Sequence, residues 1–587
     1  MSGGPQLPTR LLAVLAALAF VVRLPGLITG GPFSSDETSL ATGGRALVEG
    51  GDLYVDVIDR KPPLPFAAFG YLGGSDVGAG LVAMRFLVAV LILATAVVVA
   101  REAQRRFGAR AAWVAGIVVV AGSAALGPTD AQAANFELFA ILPIAVAFVA
   151  AARGQAVTAG AALAVAVLCK QPAAVTVVPV AACLWRAGRW RSLVVAGAAG
   201  LVAVVALAAP FGIADVVRWA LLGTGGYLSL GPGDLAFTGV RAAASLGLLA
   251  VFWGGVWLLA LAPRPVAATD GPPVAHDRLR LRPGLSGHPI PTHPDQDSDT
   301  ETVDPDVVGW TRAGAEGLSA DRRGGVDPAD LADRTEAATD SAQIAAAAAS
   351  GTHRDLWWFL AASAVGVVAG FRFFPHYLIQ LLPALALLAG RGAVRRPARV
   401  RPALAWLAVS TALAVVMAVV TSARIEPSWE RPVVRAIVDN SCGDDRVLVW
   451  GNVPELYWRA ERLPAGGFTH SEFVTGYSGG RRHQAASDQN VPDRQLYDDW
   501  TERVREQEPP VIVDTAAADL RGGRYFPMRR FEALQRLVDD NYDQVAEIER
   551  IRVYVRRPSS EGVPVGSGAG RATDPATVPP AGCGAPT

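Results

Sequence analysis

Long apolar segments alternate with short polar loops along most of the chain, a pattern typical of a polytopic membrane protein. The apolar segments are close to the roughly 20 residues that an α-helix needs to cross about 30 Å of hydrocarbon. Read in order, they predict about eleven transmembrane helices. The predicted spans are residues 11–29, 80–100, 112–127, 137–152, 155–170, 172–185, 192–212, 239–262, 355–371, 376–390 and 402–421.

The positions of arginine-rich loops predict how these helices are oriented. Such loops at 101–110, 186–191 and 391–401 fall on one side of the predicted bundle. We assign that side to the cytoplasm, because short loops rich in Lys and Arg stay cytoplasmic. The opposite face then receives a first outer loop, 30–79, and the chain beyond about residue 425. A signal peptide is the alternative interpretation of the first span, but no small-residue cleavage pattern follows it.

The predicted fold is mainly α, a transmembrane helical bundle with a small C-terminal extracytoplasmic α/β domain. Residues 1–262 form the N-terminal transmembrane part, which carries the first outer loop, and 355–424 form the C-terminal transmembrane helices. Between them, 263–354 is rich in Pro, Asp, Thr, Arg and Gly and is predicted to be a disordered cytoplasmic insertion. The α/β domain is predicted for 425–558, and a disordered Ser/Gly/Pro tail follows at 559–587.

The α/β prediction for 425–558 depends on a change in the hydrophobic pattern. "RVLVWG" and "PPVIVD" are typical of buried strands, and "IERIRVYVRR" of a closing strand. "VPELYWRAERL" and "FEALQRLVDDNY" have the spacing of amphipathic helices.

Composition supports the membrane assignment and limits the partners. The chain is 51% hydrophobic and 18% charged, below the roughly 25% charged residues of an average soluble domain. The formal net charge is +0, and no basic-aromatic patch indicates nucleic-acid binding. The bias toward Arg, Ala, Gly and Val suggests a high-GC bacterial genome and therefore a bacterial plasma membrane. Lys61 and Lys170 are the only lysines in the sequence.

Unusual polar residues gather on the predicted outer face. Ionisable groups near membrane depth cost at least ~2.5–3.5 kcal/mol on insertion scales, so they are functional candidates. The candidates are Asp36, Glu37, Arg60, Lys61, Asp130, Glu137, Lys170, Arg372 and His376.

Each candidate also has a purely structural interpretation. Asp36 and Glu37 suit the first turn of a helix, where acids are favourable and Ser35 or Asp36 is a good N-cap. Lys61 could be an interfacial lysine, and Glu137 could cap the next span. Lys170 may only break a helical hairpin, and His376 could be an interfacial histidine. Their shared face, with acids and bases interleaved, favours a functional site.

The order of motifs along the chain resembles the GT-C superfamily of membrane glycosyltransferases. The first outer loop carries "DE", then "GGDLYVDVIDRKPPL", and an Arg-led helix "AMRFLVAVL" follows. "NFELF", "KQP", "FFPHYLIQLLP" and "VWGNVPELYW" are also similar to bacterial members. The likeness covers most of residues 8–470 outside the 263–354 insertion. Within the superfamily it is nearest to the protein O-mannosyltransferase and lipid A aminoarabinose transferase group.

The resemblance implies sugar transfer from a polyprenyl-phosphate-linked donor on the extracytoplasmic face. By position, Asp36 matches the loop acid taken as the general base, with Glu37 as a supporting acid, and Glu137 matches the second-loop acid. Lys61 matches the lysine that contacts the donor phosphate. Arg372 and His376 are assigned to the same phosphate by weaker precedent. Arg60, Asp130 and Lys170 are supporting residues.

The chemistry suits these residue types independently of the resemblance. A carboxylate can take the proton of an acceptor hydroxyl, and a cation can neutralise the leaving phosphate. No cofactor is required, although a divalent cation is compatible with the oxygens of Asp36, Asp130 and Glu137. The acceptor is left open between protein, lipid and polysaccharide. Two other classes remain as alternatives: a transporter or lipid flippase, and a non-catalytic assembly or sensor protein.

Overall fold

The computed structural model describes residues 6–73, 77–223, 234–261, 353–422, 427–477 and 486–558. The predicted tail at 559–587, and all but the last two residues of the predicted 263–354 insertion, lie outside these ranges. The described chain is mainly helical and ends in one small mixed sheet. The predicted domain bounds stay predictions.

Twelve α-helices of more than four residues lie in the described chain up to Ser422. We number them α1 Thr9–Ile28, α2 Ser35–Val48, α3 Pro63–Gly73, α4 Val77–Phe107, α5 Ala109–Ala124, α6 Phe136–Ala152, α7 Ala156–Cys169, α8 Val177–Ala208, α9 Asp234–Ala260, α10 Arg354–Val368, α11 Leu382–Arg395 and α12 Val400–Ser422. Four-residue and shorter helical turns, 3₁₀ turns and the π-helical turn Val216–Leu222 connect them and carry no number.

Every apolar segment predicted from the sequence coincides with a helix of this set. The segments 172–185 and 192–212 fall on one helical run, α8, whose backbone leaves helical geometry at Gly188 and Arg189. By length and composition, six helical runs of the described chain can cross a membrane, and three shorter apolar helices accompany them. The count of eleven spans and the assignment of the outer face therefore stay predictions.

Helix α11 forms the centre of the helical part. Its residues from Leu382 to Ala393 are buried, so it is surrounded by other helices rather than by lipid. Gly392 allows one of these contacts, because a Cβ at that position would collide with the carbonyl oxygen of Leu259 in α9. Gly160 plays the same part between α7 and α8, where its neighbour is the carbonyl of Ala196.

The C-terminal part folds around a five-stranded sheet with the order β2-β1-β3-β5-β4. The strands are β1 Arg446–Trp450, β2 Leu463–Pro464, β3 Val511–Asp514, β4 Tyr542–Ile548 and β5 Ile551–Arg556. Both β2 and β3 pair parallel with β1, whereas β5 pairs antiparallel with β3 and β4. Helices α13 Glu430–Asp439, α14 Glu455–Ala460, α15 Arg494–Gln507 and α16 Glu532–Asn541 complete this part.

The first loop is fixed against the C-terminal part by backbone and charge contacts. Ile58 forms an isolated parallel bridge with Phe468, and its amide donates to the Gly467 carbonyl at 2.8 Å. Arg446 binds the Asp56 carboxylate at 2.6 Å. These contacts bring residues 466–472 of the C-terminal part next to the charged part of the first loop.

A buried carboxyl in the sheet makes the stability of this part depend on pH. Asp514 is 4% exposed, and burial raises its pKa from 3.8 to about 6 even though the Ala517 amide donates to it. The protonated form therefore stabilises the folded state. That contribution is fully present below about pH 4 and is lost as the pH rises through about 6.

Asp514→Asn is therefore expected to raise the melting temperature of the purified protein at pH 8, with a gain that shrinks toward pH 4. A rise of the pKa from 3.8 to about 6 corresponds to roughly 3 kcal/mol at most. Intrinsic fluorescence melting curves across pH measure the effect. The exposed Asp498→Asn serves as the matched control and should change little at any pH. A gain that is equal at pH 4 and pH 8 would contradict the titration of Asp514.

Candidate active site

The site is organised around the start of helix α2, where Asp36 and Glu37 occupy the first turn. The true N-cap is Ser34, whose hydroxyl accepts from the Glu37 amide at 3.4 Å. Successive residues of a helix point about 100° apart. The two acids therefore face different surroundings and have different partners.

Glu37 is fully buried and forms a bidentate ion pair with Arg85 of α4. The Arg85 Nε and Nη2 atoms lie 2.8 and 2.7 Å from the two carboxylate oxygens. The amides of Phe33 and Ala134 also donate to Glu37, at 2.9 and 2.7 Å. With four donors on its two oxygens, this carboxylate is saturated and holds the loops around the site together.

Asp36 instead faces Lys61. Its Oδ1 lies 2.9 Å from the Lys61 Nζ, and Asp59 lies on the other side of the same ammonium at 3.8 Å. The side chains of Asp36 and Lys61 are 24% and 26% exposed, so a substrate can reach both. The Lys61 backbone is held by the Tyr54 hydroxyl, which donates to its carbonyl at 2.8 Å.

A second carboxylate–lysine pair lies beside the first. Glu137, in the first turn of α6, is 2.6 Å from the Nζ of Lys170, which ends α7. The Phe136 ring lies next to both ammonium groups, 4.9 Å from Lys61 and 5.5 Å from Lys170. Both pairs therefore share one aromatic wall, which lowers the local dielectric constant and strengthens their interactions.

Asp130 and His376 form a third pair at this position. The His376 Nδ1 lies 2.6 Å from Asp130 Oδ1, and its Nε2 lies 4.0 Å from Glu137. Asp130 also accepts from the His376 amide at 3.3 Å, which fixes the start of this turn. The structure thus brings Asp36, Lys61, Glu137 and Lys170 into one cluster with this third pair.

Electrostatics couple the members of this cluster. Burial alone would raise the pKa of Asp36, but the positive charges of Lys61, His376 and Lys170 outweigh it and hold that pKa well below its usual range. Burial tends to lower the pKa of Lys61, but the charges of Asp36 and Asp59 have the larger effect. The pKa of Lys61 is therefore raised above its usual value. The two groups are therefore charged at every physiological pH.

The other predicted residues take two different positions. Arg60 forms an ion pair with Glu472 of the C-terminal part, and its guanidinium lies 4.5 Å from the Phe473 ring. Arg372 is 3% exposed, and Phe371 and Phe373 on either side of it have positive φ angles of 51° and 49°. Such backbone costs of order 1–3 kcal/mol per residue and clusters at functional sites.

Three contributors to the site were not among the predicted site residues. Arg85 carries a detectable signal, since it is a lone arginine inside an apolar segment. Phe136 has no signal apart from its place before Glu137. His470 has none, because it belongs to the C-terminal part and meets α2 only in the folded protein. Its Nε2 lies 2.9 Å from the hydroxyl of Ser39.

A metal-binding arrangement is not found within the described ranges, since no three of their His, Cys, Asp or Glu side chains are placed to hold one ion. The carboxylates named for a divalent cation are engaged instead by Lys61, His376 and Lys170. A metal would have to displace these ammonium and imidazole groups.

Comparison with known proteins finds distant structural likenesses. The chain is similar to the lipid A aminoarabinose transferase ArnT from Cupriavidus metallidurans bound to undecaprenyl phosphate, at 16% identity and a TM-score of 0.48, over 95% of this chain and 99% of that one. It is similar to the archaeal oligosaccharyltransferase AglB from Archaeoglobus fulgidus, in complex with an inhibitory peptide and a dolichol-phosphate, at 11% identity and a TM-score of 0.43, over 95% and 75%.

Both similar proteins are members of the GT-C superfamily, the one that the sequence motifs resemble. The apo structure of the same ArnT is similar at 15% identity and a TM-score of 0.45, over 93% and 98% of the two chains. No protein-family model and no curated protein matches the chain. Likeness at this distance does not assign a function, which has to come from the side chains of the site.

Proposed function

We propose that the chain is an integral membrane glycosyltransferase that moves a sugar from a polyprenyl-phosphate donor to an acceptor hydroxyl, with Asp36 as the general base. The observation that carries this proposal is the Asp36–Lys61 pair at 2.9 Å, with Lys170 and His376 close enough to act on the same carboxylate. It combines an accessible base with cations suited to a phosphate.

The reaction balances with these groups alone. The acceptor oxygen attacks the anomeric carbon of the donor sugar while its proton moves to an Asp36 oxygen. The bond from the anomeric carbon to the phosphate oxygen breaks, and its electron pair leaves with the lipid phosphate. Lys61 neutralises the charge that develops there, in surroundings where such stabilisation is strong.

The Lys61 contact also explains how the base becomes active. While Asp36 is bound to Lys61, its low pKa makes it a weak proton acceptor. A donor phosphate is a better partner for the ammonium, because it offers several oxygens. We therefore infer that donor binding draws Lys61 away and raises the proton affinity of Asp36 when the acceptor is needed.

The placement of the charges favours transfer over transport. A transporter or flippase suits charged groups at broken helices near the middle of the bilayer. Here Asp36 and Glu137 lie in first turns of helices, and Lys170 lies at a helix end. The charges are therefore grouped where helices meet loops.

The direct test uses membranes from cells that express the chain or an empty vector, supplied with a panel of labelled undecaprenyl-phosphate sugars. Transfer or release of one labelled sugar, only when the chain is present, would identify the donor. The purified protein should also bind undecaprenyl phosphate. The proposal is contradicted if no donor is turned over and the purified protein does not bind the lipid phosphate.

Lys61→Met is expected to lower kcat/KM for the donor by about 10–100-fold, because a charged hydrogen bond of roughly 1.5–3 kcal/mol is lost. It should also move the acidic limb of the kcat/KM profile to higher pH. The sign follows from Lys61 lowering the pKa of Asp36: without that charge, Asp36 protonates, and activity is lost, at a higher pH.

Arg45→Met is the matched control for Lys61→Met, since it removes an ion-paired cation of similar exposure, 29% against 26%, from the far end of helix α2. It should leave both the rate and the pH profile unchanged. A Lys61→Met enzyme with an unshifted acidic limb would show that Lys61 does not control the ionisation of Asp36.

A further inference from the structure

A cavity of about 860 Å³ lies between the first loop and the C-terminal part. One wall is the segment from Thr29 to Ser35, which leads into helix α2. The other walls are the end of α12 and the start of α13, together with Glu455, Arg459 and Arg521. This volume is in the range of sites that enclose small ligands, and none of the residues discussed above as a proton or phosphate partner lines it.

Hydroxyl groups are frequent in the lining, on six of its thirteen uncharged residues. Six side chains share this chemistry: Thr29, Ser34, Ser35, Thr421, Ser422 and Ser428. Four of these hydroxyls, those of Thr29, Ser34, Ser422 and Ser428, already donate a hydrogen bond within the chain. Their oxygens can still accept a hydrogen bond from a ligand hydroxyl. Trp429 adds a broad aromatic surface. We call this space the hydroxyl-lined cavity.

The charged residues of the lining are largely engaged with one another. Arg521 binds both oxygens of Glu455, at 2.7 and 3.0 Å, and Arg459 forms an ion pair with Glu430. An anionic ligand would have to break these pairs, which is costly for partly buried charges. With Arg431 the lining has three arginines against two glutamates. An uncharged ligand rich in hydroxyl groups can bind there without breaking either ion pair.

A strained loop presents Arg521 to the hydroxyl-lined cavity. Asp519 and Arg521 have positive φ angles of 59° and 50°, followed by Gly522 at 86°. Arg521 also donates to the Asn452 carbonyl at 2.7 Å, which holds the loop in this conformation. Left-handed backbone at two non-glycine residues persists only where the surroundings over-determine it, and it is common at ligand sites.

The hydroxyl-lined cavity adjoins the Asp36 cluster. Its residues Ser34 and Ser35 immediately precede Asp36 in the chain. His470, which contacts Ser39 one turn further along α2, is within electrostatic range of both Lys61 and Arg521. Asp36 itself faces Lys61 and does not line the cavity, so a ligand in the cavity would lie against the segment that leads directly into the proposed base.

We propose that the hydroxyl-lined cavity binds the acceptor, and that this acceptor is a neutral glycan whose hydroxyls bond to the serine and threonine side chains while an apolar sugar face packs on Trp429. This rests on the proposed function, since it names the acceptor class of the same reaction. It also gives the C-terminal part a role, because that part supplies the Glu455, Arg459 and Arg521 wall. A peptide acceptor is the competing class, but none of the described residues that line the cavity belongs to a strand that a peptide could extend.

The test uses the full-length purified protein and two kinds of soluble probe: short neutral oligosaccharides of several sugar types, and a Ser/Thr-containing peptide. Saturation-transfer NMR measures binding of each. Ser422→Trp fills the cavity with an indole at a half-buried position. Val420→Trp is the matched control, since Val420 is 59% exposed on the same helix and does not line the cavity.

We expect the wild type to bind at least one oligosaccharide. Ser422→Trp should weaken this binding on the order of tenfold or more, and Val420→Trp should leave it unchanged. Undecaprenyl phosphate should bind all three proteins equally, which shows that Ser422→Trp remains folded. The proposal is overturned if oligosaccharide binding survives Ser422→Trp, if no oligosaccharide binds, or if only the peptide shows the Ser422→Trp effect.

Failure of the proposed function gives a different result. Suppose that the wild-type protein binds no undecaprenyl phosphate but binds an oligosaccharide, and that Ser422→Trp weakens this binding. The glycan site would then be supported, and the proposal of a lipid-phosphate donor would be wrong. In that case the circular dichroism spectrum of Ser422→Trp replaces lipid binding as the check on folding.

Discussion

Asp36→Asn is expected to abolish sugar transfer while leaving the protein folded. The amide cannot accept the proton of the acceptor hydroxyl, and general-base catalysis contributes about 10²–10⁴-fold. The side chain is nearly isosteric and partly exposed, so packing should be unaffected. Transfer from the labelled donor, compared at equal amounts of purified protein, measures the loss.

Two controls separate the loss of a base from other effects. Asp52 is an exposed residue of the same loop, and its backbone amide donates to Asp56. The Asp52→Asn variant should retain full activity. Undecaprenyl phosphate should bind Asp36→Asn at least as well as the wild type, since Lys61 is released from its partner. Transfer by Asp36→Asn at the wild-type rate would exclude Asp36 as the base and leave Glu137 as the candidate.

The apolar helices α1 and α4 to α12 could be predicted from the sequence because each one buries or immerses a continuous apolar segment, whereas α3, α13 and α15 were not predicted. The same logic found strands β1 and β3, whose residues are largely buried on both faces. It also found β5, which is apolar although only partly buried. Strand β4 escaped it because most of its positions are exposed, Val545 among them, and its pattern is irregular, with a register shift between Gln544 and Ala546. An edge strand of this kind is defined by its hydrogen-bonded neighbour rather than by its own composition.

The residues of the candidate site were more predictable than their pairing. Charges in an apolar setting stand out in a sequence, so Asp36, Lys61, Glu137 and Lys170 could be found. Which acid meets which base depends on contacts between segments about 25 to 250 residues apart, and no local pattern carries that information. His470 is the residue that the sequence indicates least, because its contact with α2 forms only when the C-terminal part folds onto that helix.

The adjacent acids Asp36 and Glu37 show this limit most clearly. Both suit the first turn of a helix, and the sequence gives no reason to assign them different roles. Helix geometry turns Asp36 toward Lys61 and Glu37 toward Arg85. We infer that the first is the proton acceptor and the second a positioning residue.

Glu37→Gln is accordingly expected to destabilise the protein by about 3–5 kcal/mol, because it leaves the Arg85 guanidinium buried without its counter-charge. Arg85→Met should be at least as damaging, since Arg85 also donates to the carbonyls of Gly26, Thr29 and Gly31 at 2.6–3.1 Å. Intrinsic fluorescence melting of the purified variants measures both effects.

The double variant Glu37→Gln with Arg85→Met separates the ion pair from the other contacts. Because neither charge is then buried alone, its loss of stability should be smaller than the sum of the two single losses. Arg45 and Glu49, a partly exposed pair at the end of the same helix, give the matched comparison, and breaking this pair should cost less than about 1 kcal/mol.

Kinetic measurements test the role of Glu37. The folded fraction of Glu37→Gln should keep the wild-type KM for the donor and the wild-type pH profile. A pH profile that changes while the protein stays fully folded would show instead that Glu37 takes part in the proton transfer, because a carboxylate that only holds the loops in place has no proton to exchange during the reaction.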